Sequence, residues 1–229
     1  MKKILFIVAL FSSFLIFSCD DINSMHDKYL QNGEDLHVGK LDSFYIYSGK
    51  ERAALKFWVG DYRATKLLVK RGDNDQEQWF DLPASNRKDS IVVYINNLLE
   101  GSNQLTFITS NEDKTVFSIP INQTITTYGD KFQAVISQRG MKKITVDVGG
   151  LVNLTWGSRT SAQLVGQELF YKLASGEDAT LIVPATDGVT NLANMNQTGS
   201  ITYRSLYTPT VASIDTFYTD KVTIAYPFN

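Results

Sequence analysis

Few side chains in this sequence are equipped for covalent or acid–base chemistry. Cys19 is the single cysteine, and the two histidines, His26 and His37, lie in a polar segment ahead of the first patterned stretch. A Ser-His-Asp or Cys-His device needs its base held on a rigid scaffold, and neither histidine is placed on one. The same shortage removes metal sites built from cysteine and histidine. Oxygen ligands remain in "RGDNDQE", where Asp73, Asn74, Asp75 and Glu77 fall together; without EF-hand spacing they read as a polar hairpin turn. No metal, cofactor or catalytic residue is expected, and the chain is read as a non-enzyme.

Stacking on a ligand ring is the other chemistry on offer, since aromatics make up 12% of the chain. The densest stretch is "YRSLYTPTVASIDTFYTD", from Tyr203 to Asp220. Strand alternation puts Tyr203, Ser205 and Tyr207 on one face and Thr202, Arg204 and Leu206 on the other. After the "TPTVASID" loop, the same alternation groups Tyr218 with Val222 and Ile224, and Asp215 is expected to cap the turn. Tyr207 and Tyr218 flank this loop and, with Arg204, are candidate ligand contacts; packing as a plain hairpin is the competing reading. Trp79, beside charged residues in "DQEQWFDLP", is a fourth candidate on a predicted edge strand, with core packing as the leading alternative. Trp58 and Trp156 lie inside predicted strands and are expected in the core.

These residues must be positioned by β-structure. From Leu41 onward, short runs such as "RAALKFWVG", "TKLLVKRGD", "DSIVVYI" and "NQLTFITS" alternate and are punctuated by Gly, Asp, Asn and Pro about every ten residues, as in a sandwich or barrel. In the second run Ala54, Lys56 and Trp58 point one way and Leu55, Phe57 and Val59 the other. The second half repeats the first: Trp58 aligns with Trp156, Lys70 with Lys172 and Pro83 with Pro184 at nearly constant offset. Between the copies, "TYGDKFQAVISQRGMKK" carries Phe132, Val135 and Ile136 at helical spacing after Asp130, a candidate cap, with Gly140 as a stop. The expected fold class is therefore all-β: a first sandwich over 41–127, a short helical linker over 128–143, and a second sandwich over 144–229.

The front end points to an export route. "MKK" and an apolar run from Ile4 to Phe17 fit a secretory signal over 1–18, shorter than the ~20 residues of a spanning helix. The lone Cys19 after this run resembles a bacterial lipobox, which implies a diacylglyceryl thioether on the thiol and attachment to a membrane. Residues 19–40 then read as a flexible tether, and Asp20 and Asp21 resemble a surface-export signal of Bacteroidetes lipoproteins. Removing Lys2 and Lys3 from the 22 basic residues leaves 20 against 24 acidic, a net charge of −4 that argues against nucleic acid as a partner.

Each module resembles a fibronectin type III domain, with Trp58 and Trp156 matching the core tryptophan of the second strand. The tyrosine such domains place after their "L-x-G" turn is replaced by Leu105 or Phe107 in the first copy. Over nearly the whole chain, "CDDINSMHDKYL", "HVGKLDSFYIYSGKERAALKFW", "TYGDKFQAVISQRGMKK", "VNLTW" and "YRSLYTPTVASIDTFYTD" resemble a family of Bacteroides-type surface lipoproteins built on a domain of unknown function. The resemblance implies a lipid-anchored, surface-exposed outer-membrane protein that accompanies glycan uptake and binds polysaccharide or a glycan-uptake complex. The alternative is a structural or adhesive subunit of an outer-membrane assembly, contacting protein rather than sugar.

Overall fold

The computed structural model describes residues 36–72, 76–83 and 88–225. Cys19, the leader, most of the tether and three of the turn residues, 73–75, lie outside them. Val38–Asn229 forms one compact unit.

The alternating runs become strands β1 (Ser43–Ser48), β2 (Ala53–Trp58), β3 (Lys66–Arg71), β4 (Gln76–Asp81), β5 (Ile91–Ile95), β6 (Gly101–Ser110) and β7 (Ile121–Thr127). They pair antiparallel as a three-stranded sheet β1-β2-β5 and a four-stranded sheet β4-β3-β6-β7. Leu55, Phe57 and Ile95 of the first sheet meet Leu67, Val69, Leu105 and Phe107 of the second, all essentially without solvent contact. Burying such side chains contributes about 1.5–3 kcal/mol each, which is what holds two sheets together where no disulfide can form within a chain of one cysteine.

The second half repeats this strand order. Here β8 (Met141–Val146), β9 (Val152–Trp156) and β12 (Val189–Leu192) form one sheet, and β10 (Leu164–Lys172), β11 (Asp178–Pro184) and β13 (Ile201–Tyr207) form the other. The last strand of that larger sheet is broken into β14 (Phe217–Tyr218) and β15 (Val222–Ile224), both paired to β13. The repeat extends to side chains: Lys70 ion-pairs across strands with Glu77, and Lys172 with Asp178, each at 2.7 Å.

The tryptophans break the repeat. Trp156 is 3% exposed in the core of the second sandwich, but Trp58 points outward with Ala54 and Lys56, and Phe57 occupies the core instead. The core expectation for Trp58 is therefore corrected. Its own alternation with Lys56 placed it on the solvent side, and aligning the two tryptophans shifts the strand by one residue and swaps its faces.

The connecting helix α1 (Asp130–Val135) is six residues long, and the backbone is already a strand at Met141. Asp130 does not cap it. Glu100, from the turn before β6, accepts from Lys131 N at 2.7 Å and Phe132 N at 2.8 Å. Burial works to raise the Glu100 carboxyl pKa, but the N–H groups of Lys131, Phe132 and Gly129 outweigh it and hold it below the usual range.

Around α1 the two sandwiches are fastened together. Phe132 stands edge-on between Tyr128 (5.3 Å) and Phe217 (4.9 Å), over a small cluster of Leu164, Ala185 and Tyr207. Asp215 leaves its turn and reaches the first module. It accepts from Arg52 Nε at 2.9 Å, Arg52 Nη2 at 2.5 Å and Lys50 N at 2.8 Å, while Ile214 N donates to Ser48 O at 2.9 Å. The expected turn cap is thus an inter-module clamp.

The Arg52 hydrogen bonds outweigh desolvation and hold the Asp215 carboxyl below its ordinary pKa. A depressed folded-state value gives stabilisation that is present above the unfolded carboxyl pKa, about 3.9, and lost as pH falls through the folded value. Asp215→Asn is expected to cost about 1 kcal/mol at neutral pH, and the gap to the wild type should close in acid. Thermal unfolding of both proteins between neutral pH and about pH 3 checks this; a gap that does not change with pH would contradict it.

Candidate functional site: three aromatic surfaces

Of the four residues singled out by sequence, Tyr207 is the one the fold removes from the surface. It is 3% exposed, and its hydroxyl donates to Ser137 O at 2.7 Å. Its neighbour Tyr203 donates likewise to Arg139 O at 3.1 Å, and Arg139 N donates to Ser205 Oγ at 2.8 Å. The Arg139 side chain is buried too, with Nε on Gly157 O at 2.9 Å and Nη1 on Gln167 Oε1 at 3.1 Å. These tyrosines clamp the segment after α1 onto the second sandwich, so the expectation of Tyr207 as an exposed ligand ring is corrected.

Arg204 and Tyr218 are brought together, but against each other. The Arg204 guanidinium lies 3.8 Å from the Tyr218 ring centre and donates to Glu168 Oε2 at 2.6 Å; Lys221 covers Phe170 at 3.8 Å. This outer face of the larger second sheet is a ladder of cations and rings that satisfy one another. Tyr218 pairs opposite the outward-facing Leu206, whereas Val222 and Ile224 pair opposite Tyr203 and Ile201 on the core side. The break between β14 and β15 shifts the register by one residue and turns Tyr218 to the face opposite the one alternation gave it.

Trp79 lies on β4, an edge strand, and its outward-facing partners Leu68 and Ile108 run beside it across the sheet. With Phe117 and Pro120 they line a shallow groove of about 380 Å³, rimmed by Lys70 and Glu77. Lys114 Nζ sits 4.1 Å from the centre of the Trp79 ring and covers one face of it.

The most exposed aromatic surface is one that sequence reading missed. On the three-stranded sheet of the first sandwich, the outward positions are Tyr45 and Tyr47 of β1, Ala54, Lys56 and Trp58 of β2, and Val92 and Tyr94 of β5. Tyr45 is 59% exposed, Tyr94 50% and Val92 49%. Tyr45 stands edge-on to Trp58, with ring centres 6.1 Å apart. At the other end, Tyr47 and Tyr94 pair on either side of the small, buried Ala54, two strand spacings or about 9.5 Å apart. Arg52 lies over Tyr94 at 5.6 Å. Isolated exposed hydrophobics are ordinary; here four rings, Tyr45, Tyr47, Trp58 and Tyr94, share one face of a single sheet. The signal was present in "DSFYIYSG" and in the parity of Trp58 with Lys56.

No curated protein matches the chain. Among solved structures it is similar to the FN1–FN3 domains of chicken CNTN1, at 11% identity over 84% of this chain and 69% of that one, with a TM-score of 0.46. It is also similar to a two-domain fibronectin type III segment of chicken tenascin, at 11% identity over 81% of this chain and 98% of that one, with a TM-score of 0.31. The strand order itself, three strands facing four in the first copy and three facing a broken-edged sheet in the second, makes each module a fibronectin-type sandwich. Residues 19–217 match DUF4998, a domain of unknown function, and since that span covers well over half of the chain, the chain belongs to that family.

Proposed function

We propose that this protein is a non-catalytic binding protein, held at the outer-membrane surface by lipid on Cys19, that captures glycan on the Tyr45–Trp58–Tyr94 face. That face is the observation that carries the reading: rings with both apolar and hydrogen-bonding character, exposed together on a rigid sheet, suit the apolar faces and hydroxyl edges of sugar rings. Support for the anchor comes from the basic leader and apolar run ending at the lone Cys19, and from a family match that begins at that residue. The Bacteroides-type resemblance supplies the glycan-uptake setting.

Affinity electrophoresis of the full-length protein in non-ionic detergent, against plant, host and microbial polysaccharides, tests the reading. Retardation by at least one polymer is expected. The double variant Tyr45→Ala, Tyr94→Ala removes about 1 kcal/mol per ring, so the dissociation constant should rise by roughly thirtyfold. A wild-type protein that migrates freely through every gel would end the proposal.

An adhesive role against another protein is the second reading, favoured by the more apolar Trp79 groove. In that case Trp79→Glu would abolish assembly with the partner protein.

A further inference from the structure

Lys56 lacks the acid partner that the outward cations of the two larger sheets have. On the two larger sheets, each outward-pointing cation sits across from an acid on a neighbouring strand. Lys66 faces Asp81, Lys70 faces Glu77, Lys172 faces Asp178 and Arg204 faces Glu168, with ion-pair distances of 2.6–2.7 Å. Lys56, on the central strand β2, has Tyr45 on one side and Val92 on the other. Its ammonium lies 5.5 Å from the Trp58 ring centre, and among the described residues no carboxylate pairs with it. The cations nearest in sequence are already engaged: Arg52 by Asp215 and Lys50 by Asp130. The aromatic face therefore carries one uncompensated positive charge near its middle, bordered by rings rather than acids.

We infer that the sugar held on this face is anionic, bearing a carboxylate or sulfate ester that pairs with Lys56 while its ring stacks on the neighbouring aromatics. The inference rests on the reading of this face as a glycan platform. An ammonium flanked by apolar side chains keeps fewer waters and is screened less than one in open solvent, so a ligand anion gains more there than on an ordinary lysine. A neutral sugar would leave that charge partly desolvated and unpaired, which penalises it relative to an acidic one.

The test is affinity electrophoresis of the full-length protein in non-ionic detergent with matched polymers. Polygalacturonate and its methyl ester isolate the carboxylate, and dextran sulfate and dextran isolate the sulfate. Wild type should be retarded more by one charged polymer than by its neutral counterpart. Lys56→Gln should weaken that retardation about fivefold, Lys56→Arg should retain it, and raising NaCl to about 0.5 M should weaken it in the wild type. Equal retardation by charged and neutral polymers, or a Lys56→Gln protein that behaves as wild type, overturns the inference and leaves the platform standing. If the full polysaccharide panel retards nothing, the platform reading fails and the inference with it.

Discussion

Trp156→Ala is expected to lower the stability of the second sandwich by about 3–5 kcal/mol, whereas Trp58→Ala should cost the first less than about 1 kcal/mol. The two tryptophans end equivalent strands and align in sequence, yet they face opposite environments. Trp156 packs edge-on to Tyr203 with ring centres 5.3 Å apart, and its Nε1 donates to Thr190 Oγ1 at 2.9 Å. Removing it leaves a cavity and an unpartnered buried hydroxyl. Trp58 lies on the outer face against Tyr45 and Lys56, where water takes its place. The companion variant Phe57→Ala should reproduce the large loss in the first sandwich, because Phe57 holds the core position there. Urea unfolding followed by circular dichroism would measure all three. Equal costs for the two tryptophans would sink the assignment of opposite faces.

Tyr207→Ala is the second large effect, with an expected loss of about 3–4 kcal/mol. The ring fills the joint cluster with Leu164, Ala185 and Phe217, and the hydroxyl satisfies Ser137 O. Tyr207→Phe keeps the packing and should cost only about 1 kcal/mol. Both substitutions lie away from the aromatic face of the first sandwich, so folded Tyr207→Phe protein should bind polysaccharide as the wild type does. Small-angle scattering adds a structural readout: loosening of the joint by Tyr207→Ala should broaden the distance distribution between modules. A stable Tyr207→Ala protein that had lost only glycan retardation would return Tyr207 to the binding surface.

Short alternating strands in two copies were legible along the chain alone. Period-two patterning and regularly spaced turn residues are local properties, and they survive folding because each strand buries one face. Lys70 and Lys172 were rightly matched for the same reason: each faces an acid on the strand after its own turn, so the pair is short-range in the chain. Trp79 on an edge strand was legible from its charged neighbours.

Which face of each strand lies inside was set by how the sheets pack. "KFW" carries an aromatic ring on both parities, so alternation divides Phe57 from Trp58 without saying which one meets the opposing sheet. The break between β14 and β15 likewise reverses the face of Tyr218, and a one-residue shift leaves no mark in composition. Glu100 capping α1 and Asp215 clamping Arg52 join residues that are distant in the chain, from 31 to 163 positions apart. Such pairings follow from how the two sandwiches are docked. The fold was legible because it rests on local periodicity; the aromatic face and the joint were not, because each is assembled from strands and loops that meet only in the folded molecule.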